Sequence, residues 1–368
     1  MSMNFKGFAT RLSTGKRVSL LMTGISLIVL VFLMHLAQTG QIVGKYEIRI
    51  LNMCAIFAIL GLSMNLVNGF TGLFSLGQAG FMAVGAYTTS LLVLSPAHKE
   101  MVFNLKPIVP WLSTVQIPFF FALLAGGLMA AGAAFLIGFP VLRLKGDYLA
   151  IATLGFSEII RIVFTNLQTV TNGSTGLKLI PPTVNIWWTF GVLALVVVFM
   201  LRLLRTSHGR ALKAIRDDEI AAESMGVSLF RHKMISFVIS GFIAGLGGGL
   251  IASVIGSINP LLFRFVLAYE ILLIVVLGGL GSISGTIVAA FIIQIAKEWL
   301  RWLDDGINLG FVRTQPIVGL RMVVFSLLLM FVILFYRKGL FGQKEFSWAG
   351  LYRILTKPYR LLKGGDKA

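Results

Sequence analysis

Long apolar stretches separated by short polar segments recur along most of the chain. A helix needs about 20 mostly apolar residues to cross a bilayer, and the sequence contains ten candidate stretches. They lie at 18–37, 47–67, 72–94, 116–139, 148–167, 186–204, 233–255, 267–281, 284–300 and 317–336. The pattern predicts an all-α, polytopic integral membrane protein with about ten transmembrane helices.

The eighth and ninth stretches are short, and only the glycine-rich residues 278–282 separate them. Two short helices joined in this way either cross the bilayer or form a broken, re-entrant hairpin. The second arrangement requires protein or a water-filled cavity to satisfy the backbone polar groups. The sequence leaves both arrangements open.

The composition of the chain supports a membrane location. Of its 368 residues, 57% are hydrophobic and 12% are charged, and the mean hydropathy is +0.89. Soluble domains contain about 45–50% apolar and about 25% charged residues, so a soluble enzyme, a disordered chain and a disulfide scaffold are excluded. The single cysteine, Cys54, lies in an apolar stretch and offers neither a disulfide nor a thiolate metal site.

The basic residues predict the orientation of the chain. A net charge of +18 would suggest a nucleic-acid partner for a soluble protein, but these residues cluster in a few loops and at both ends. Ten spans place 21 of the 32 Lys and Arg residues on one side, and the positive-inside rule makes that side cytoplasmic. We therefore expect both termini in the cytoplasm. The predicted parts are an N-terminal tail (1–17), a transmembrane domain (18–336) with a cytoplasmic loop (205–232), and a basic tail (337–368).

The cytoplasmic loop 205–232 is long enough to fold, and its residue pattern predicts a short helix on the membrane surface. One face of that helix would carry Ala211, Ala214, Ile215, Ala222 and Met225, with Asp218 among them. Gly226 suits the end of the helix. A shallow face of alanines fits a groove on a soluble partner, but a linker helix packed on its own protein fits the pattern equally well.

Several stretches of the chain are similar to one family of transport proteins. They are GLSMNLVNGFTG (61–72), SLGQAGF (75–81), LGFSEIIR (154–161), TNGSTGL (171–177), GRA (209–211), RDDEIAA (216–222), MG (225–226) and GGLGS (278–282). In this order they resemble the LivM-type permeases, the membrane subunits of branched-chain amino-acid ABC importers. Asn172 stands where that family often has a second glycine.

The resemblance implies a function for the loop and a set of partners. Its coupling residues would be Ala211, Ala214, Ile215, Arg216, Asp217, Asp218, Glu219, Ala222, Met225 and Gly226. They would transmit the movement of two cytoplasmic ATPase subunits. A second, LivH-like permease subunit and a periplasmic substrate-binding protein would complete the importer in the bacterial inner membrane.

The sequence has no Gly-x-x-x-x-Gly-Lys-[Ser/Thr] motif for ATP phosphates. We therefore expect no cofactor on this chain, with ATP bound by partner subunits, and a transport subunit rather than an enzyme. The neighbouring acids Asp217, Asp218 and Glu219 do not predict a metal site, because consecutive helical residues point about 100° apart.

Polar residues inside the apolar stretches are candidates for the translocation path. They are Asn65, Gln78, Ser157, Glu158 and Arg161. Glu158 and Arg161 are three residues apart on one predicted helix and can neutralise each other. For the others, hydrogen bonds between helices are an alternative to a polar path, and both interpretations remain open.

Gly241, Gly245 and Gly249 recur at every fourth residue of the seventh stretch. This spacing places them on one side of a helix, where they allow another backbone to approach closely. A fixed packing surface and a moving interface both fit this arrangement.

The leading hypothesis is a permease subunit of an ATP-driven importer for branched-chain or related amino acids. A related importer for urea or short amides is one alternative, because no residue identifies the cargo. A secondary transporter or channel working alone is another; it predicts an internal repeat and a carboxylate relay, and neither is evident. A membrane-embedded enzyme would have to rely on the acids at 217–219. The sequence does not distinguish a homodimer from a heterodimer of permeases.

Overall fold

The structure is a computed structural model that describes residues 34–35, 44–103, 106–303, 320, 323–327, 330, 339–342 and 345. Within these residues the regular secondary structure is helical, and an isolated antiparallel bridge joins Leu177 to Ile258. The all-α class predicted from the sequence is confirmed. The predicted spans 18–37 and 317–336 and the two predicted tails lie wholly or largely outside the described residues.

The helices are numbered here in chain order. They are α1 (Lys45–Asn65, continued by a π-helical turn, Leu66–Phe70), α2 (Gln78–Val93), α3 (Pro96–Val102), α4 (Pro110–Ser113), α5 (Phe119–Val141), α6 (Asp147–Asn166), α7 (Gln168–Thr171), α8 (Ile186–Arg205), α9 (Ser207–Asp217), α10 (Glu219–Ser224), α11 (Leu229–Ile255), α12 (Phe265–Gly278) and α13 (Ile283–Trp299). In the described part of the chain, five helical segments are long and apolar enough to cross a membrane: α1 with its π-helical turn, α5, α6, α8 and α11.

Helices α2, α5 and α11 pack together at the centre of the compact unit Arg49–Gln343. Close approach is possible because small residues meet there. A methyl group added at Gly241 would lie 2.5 Å from Ala134 Cβ, and one added at Gly245 would lie 2.5 Å from Ala130 Cβ. A methyl group added at Gly249 would lie 2.6 Å from Thr89 Oγ1. Since Gly241 meets Ala134 and Gly245 meets Ala130, rising residue numbers on α11 pair with falling numbers on α5, and these two helices are antiparallel.

The predicted span 72–94 is wrong at its beginning. Helix α2 starts at Gln78, and the residues from Thr71 to Gly77 are not helical. Ser75 and Leu76 are buried in this segment, and their backbone amides donate to Asn68 Oδ1 (3.2 Å) and Thr153 Oγ1 (3.0 Å). Side chains therefore satisfy backbone groups that a helix would have paired internally.

The eighth and ninth predicted spans form two short helices joined by a tight turn. Helix α12 has 14 residues and α13 has 17, which correspond to about 21 Å and about 26 Å at 1.5 Å per residue. Both are shorter than a hydrocarbon core of about 30 Å. The turn ends where Ser282 caps α13 by accepting from the amide of Gly285 at 3.1 Å.

The connections between helices gather at two opposite ends of the unit. The segment Thr71–Gly77, the turn between α12 and α13, and helices α9 and α10 lie at one end, called the α9–α10 end below. At the opposite end, backbone hydrogen bonds join Val109 to Thr169, Ile117 to Leu92, and Leu177 to Ile258. Lys99 is buried there, and its ammonium group donates to the carbonyls of Leu112 (2.7 Å) and Val115 (2.5 Å).

The outward faces of α5, α6 and α8 are apolar. Large hydrophobic side chains are exposed along them, among them Leu136, Ile151 and Leu195. Exposed apolar surface on this scale is not stable in water. It fits contact with lipid or with another membrane subunit.

Candidate functional site

The loop 205–232 forms two helices, α9 and α10, and the prediction of one continuous helix is wrong. The break lies at Asp218, whose backbone is extended (φ −160°, ψ 114°). Its carboxylate accepts hydrogen bonds from the amides of Ile220 (2.8 Å) and Ala221 (3.0 Å). Aspartate favours this N-cap position because the carboxylate satisfies free amides of the first turn. Helix α10 therefore starts anew at Glu219.

The break divides the face of small apolar residues predicted from the sequence. Ile215 and Ala222 are buried in the chain, Ala211 is half-buried, and Ala214 is exposed. The large apolar side chains that project outward are Ile220, 79% exposed, and Met225, 85% exposed. The predicted five-residue face is therefore corrected: two of its members are not accessible to a partner, and Ile220 was missing from it.

Two further contacts fix α9 and α10 to the bundle. Lys233, buried at the start of α11, forms an ion pair with Glu219 at 2.6 Å. The imidazole rings of His208 and His232 lie 5.4 Å apart between α9 and α11. Helix α10 ends at Ser224, and Gly226, two residues further on, has a φ of 80° that suits glycine. The amide of Val227 then bonds to the carbonyl of Ala222 at 3.0 Å, which completes a Schellman motif.

Arg216 points into the protein. Its Nη1 donates to the carbonyl of Gly69 at 3.3 Å, and its Nε and Nη2 donate to the carboxylate of Asp217 at 3.1 Å and 2.9 Å. The side chain of Arg216 is 21% exposed, whereas that of Asp217 is 68% exposed. The resemblance implied that Arg216 is a coupling residue, and its contact with the end of α1 was not predicted.

Asn65 joins the end of α1 to the start of α13. Its side-chain amide donates to the carbonyl of Ser282 (2.9 Å) and the hydroxyl of Thr286 (2.7 Å), and its oxygen accepts from the amide of Gly281 (2.9 Å). Asn65 is fully buried. Both of its donor hydrogens are used within the protein.

Gln78 lies in a second buried polar cluster, between α1, α2 and α11. Its Nε2 donates to Ser240 Oγ at 2.7 Å, and its Oε1 accepts from Ser63 Oγ at 3.0 Å. Ser240 Oγ also donates to the carbonyl of Ser63 at 2.8 Å. Sequence reasoning missed Ser63 and Ser240. They could have been proposed from the rule that a buried side-chain amide needs hydrogen-bond partners. Small hydroxyl residues in neighbouring spans are the usual partners.

The remaining path candidates lie on α6, apart from Asn65 and Gln78. Glu158 and Arg161 form an ion pair at 2.6 Å, and Glu158 also accepts from the amide of Phe265 at 3.2 Å, at the first residue of α12. Ser157 packs against α2, where a methyl group on Gly80 would lie 3.0 Å from its Cα. Asn65, Gln78, Ser157 and Glu158 thus each contact another helix, whereas Arg161 pairs with Glu158 on its own helix.

A further ion pair was not predicted. Glu270 on α12 accepts from Lys297 Nζ (2.6 Å) and Gln294 Nε2 (2.7 Å) on α13. Among the described residues, no group of three or more His, Cys, Asp or Glu side chains is placed to hold a metal ion.

The apolar helices and the polar contacts between them define a multi-pass helical membrane protein. Residues 46–336 match the family described as branched-chain amino acid transport system / permease component, and the chain belongs to this family. No solved structure gives a significant match to the chain.

Curated relatives agree with this assignment. The high-affinity branched-chain amino acid transport system permease protein LivM of Escherichia coli (strain K12) is 39% identical over 297 residues, which cover 72% of this chain and 65% of that protein. The probable branched-chain amino acid transport permease protein LivH of Methanocaldococcus jannaschii is 24% identical over 82% of this chain and 92% of its own length. The guanosine ABC transporter permease protein NupQ of Bacillus subtilis is 27% identical over 50% of this chain and 60% of its own length. The match thus spans about two thirds of the length of LivM.

Proposed function

We propose that the chain is the transmembrane permease subunit of an ATP-driven ABC importer for branched-chain or related amino acids. The family match over residues 46–336 carries this proposal. The names of the LivM and LivH relatives support the same cargo class. The proposed protein has about ten spans, has both termini in the cytoplasm, and lies in a bacterial inner membrane.

The proposed assembly contains two ATPase subunits, a LivH-like permease and a periplasmic binding protein. In this assembly the chain itself binds no ATP. Movement of the ATPases would shift α9 and α10, and the paired permeases would alternate between outward and inward openings. We expect α9 and α10 to move together with the bundle, because the Glu219–Lys233 ion pair and the buried Ile215 hold the two helices to it.

Within this proposal, Ile220 and Met225 are the residues that enter the ATPase. Exposed apolar side chains next to charged ones are typical of a helix that occupies a groove, and large side chains often dominate binding energy. The buried Ala222 is unsuitable as a partner contact, because an arginine there would disturb the packing of α10 itself. Met225→Arg is therefore a sharper test than Ala222→Arg.

The polar residues Asn65, Gln78, Glu158 and Arg161 are proposed to hold the bundle together. The support for this role is that Asn65 and Gln78 bond to other helices inside the bundle, and that Glu158 pairs with Arg161 and also accepts from the amide of Phe265 on α12. A role in the translocation path would require these bonds to open during the transport cycle.

The test is reconstitution of the chain in liposomes with its ATPases, its LivH-like partner and its binding protein. We expect leucine uptake that requires ATP and disappears when the ATPases are omitted. Uptake without ATPases would instead support a transporter working alone. ATP-driven uptake of urea, a short amide or guanosine in place of leucine would identify a related importer.

Met225→Arg should abolish copurification with the ATPases, because a charge then enters the apolar contact. Met101→Arg is the matched control, since Met101 is 63% exposed at the opposite end of the unit. We expect normal copurification for that variant. Equal copurification of the two variants would contradict the assignment of α10 as the ATPase contact.

A further inference from the structure

The guanidinium of Arg216 reaches the end of α1, whereas that of Arg210 on the same helix donates to the carbonyl of Arg205, the last residue of the preceding helix α8. Arg216 Nη1 donates to the carbonyl of Gly69 at 3.3 Å, at the π-helical end of α1. The other edge of the guanidinium is held by Asp217. A planar guanidinium can bind two acceptors on different edges with fixed geometry, and a lysine ammonium cannot reproduce this.

The guanidinium lies where two reversals of the chain meet. The first reversal follows α1, at residues 66–77, and the second is the turn between α12 and α13. A methyl group added at Gly69 would lie 2.4 Å from the amide nitrogen of Gly281, so the two reversals touch. A methyl group at Gly281 would lie 3.0 Å from Arg216 Nη1, and one at Gly72 would lie 2.9 Å from Arg216 Cγ.

Glycine is required at these contacts for two reasons. A methyl group at Gly72 would lie 2.9 Å from Cγ and 3.0 Å from Cα of Arg216, closer than side chains normally approach. Gly72 and Gly281 also have φ of 76° and 85°, which strains other residues. Asn65, the last residue of α1 before the first reversal, bonds to the second reversal from within the bundle, through the amide of Gly281 and the carbonyl of Ser282. The junction is therefore held by Asn65 from inside and by Arg216 from α9.

We propose that Arg216 is a positioning residue that latches α9 to the two chain reversals and transmits movement of α9 to α1 and α13. This inference rests on the proposed function, because it assumes that a partner moves α9. It changes the role expected for Arg216 from a contact with the ATPase to a contact within the permease. The exposed Asp217 orients the guanidinium.

The contact can be tested on the purified full-length chain in nanodiscs, without partners. Arg216→Ala should raise hydrogen exchange at the Gly281 amide and in residues 66–72 by about tenfold, because local opening becomes easier. Lys213→Ala, an exposed position on the same helix, is the control for loss of a positive charge. Unchanged exchange in Arg216→Ala would overturn the latch.

Transmission is tested in the reconstituted importer by the number of leucine molecules imported per ATP hydrolysed. For Arg216→Ala we expect normal copurification with the ATPases, continued ATP hydrolysis, and a ratio about tenfold lower. A purely structural role would lower the amount of assembled importer and leave this ratio unchanged. Arg216→Lys keeps the positive charge and is the variant to use if Arg216→Ala does not fold. We expect Arg216→Lys to show the same lowered ratio of leucine imported to ATP hydrolysed.

The two proposals fail in different ways. A wild-type importer with coupled uptake and an Arg216→Ala variant with the same ratio would overturn the latch alone. Loss of ATPase copurification in Arg216→Ala would also overturn it, because Arg216 would then contact the partner. Absence of ATP-driven uptake in the wild type would overturn the proposed function, and the latch as a transmitting element with it.

Discussion

Buried polar residues in this protein have their partners on distant parts of the chain. Asn65, Gln78 and Lys99 are each fully buried, and each donates at least one hydrogen bond to a residue more than ten positions away. Unpaired polar groups are costly in an apolar interior. These three residues therefore specify which segments of the chain must lie together.

Lys99 leads to a prediction of how the stability of the fold depends on pH. Desolvation lowers the pKa of its ammonium group below the ordinary value. The unfolded state then binds more protons than the folded state in the alkaline range between the lowered and the ordinary pKa, so stability rises with pH there. Thermal unfolding in detergent should show that the melting temperature of the wild type increases from pH 8 to pH 10 relative to Lys99→Met.

Lys106→Met is the matched control for this comparison, because Lys106 is exposed in the same connection between α2 and α5. Its melting temperature should follow the wild type at every pH. At neutral pH we also expect Lys99→Met to be less stable by about 1–3 kcal/mol, since the carbonyls of Leu112 and Val115 lose their donor. A pH profile of Lys99→Met parallel to that of the wild type would contradict the argument.

The sequence identified several residues of the candidate site, but not where their side chains point in the fold. Asp218 was placed within a helix, whereas its capping bonds to Ile220 and Ala221 start a new one. That outcome depends on the packing of Ile215 and Ala222 against the bundle, which a periodicity argument does not contain. The same limit applies to Arg216, because the carbonyl of Gly69 is 147 residues away.

Asn172 has a backbone conformation that usually favours glycine. Its φ is 59°, in the left-handed region, where glycine is unstrained and asparagine is the best tolerated alternative. Its side chain also bonds to the carbonyls of Val102 (3.0 Å) and Gly176 (2.9 Å). Asn172 therefore links two connections at the end of the unit opposite α9 and α10.

At the scale of elements, the crossing of α5 and α11 depends on the small residues between them. Gly245→Ala would place a methyl group 2.5 Å from Ala130 Cβ and 3.0 Å from the carbonyl oxygen of Gly126. The helices would have to separate, at a cost of about 1–3 kcal/mol. We expect a lower melting temperature, measured by size-exclusion chromatography after heating.

Gly132→Ala is the control for this prediction, because nothing lies within 4 Å of an added methyl group on that glycine of α5. Alanine favours helix over glycine, so the control should be as stable as the wild type or slightly more stable. Equal destabilisation by both substitutions would indicate that the contact between α5 and α11 does not limit stability.

Hydropathy predicted the described long helices well and the irregular segments poorly. The predicted membrane spans 186–204 and 233–255 fall within α8 and α11, whose apolar stretches are continuous. The start of α2 was misplaced because Leu73, Phe74 and Leu76 are apolar although their backbone is not helical. A hydropathy window counts side chains and is blind to backbone hydrogen bonds such as that from Leu76 to Thr153.

At the scale of the whole molecule, the orientation can be tested with single cysteines. Ser224 on α10 and Met101 on α3 are both exposed and lie at opposite ends of the unit. In a Cys54→Ser background, a membrane-impermeant maleimide applied to spheroplasts should label Met101→Cys. Ser224→Cys should react only after the membrane is permeabilised.

Cys54→Ser without an added cysteine is the control for this experiment, and it should remain unlabelled. The expectation follows from the positive-inside rule, which places α9 and α10 in the cytoplasm. Labelling of Ser224→Cys in sealed spheroplasts would show that these helices face outward. In that case cytoplasmic ATPases could not bind them.

The break at Asp218 also separates two kinds of surface that a single helix would have mixed. Ile215 and Ala222 serve the interior, while Ile220 and Met225 project from the other side of the same short segment. Substitutions at Ile220 and Met225 can therefore accumulate without weakening the packing of Ile215 and Ala222. If α10 binds an ATPase subunit as proposed, the permease can adapt to a changed ATPase through the side chains of Ile220 and Met225 while its membrane bundle stays as it is.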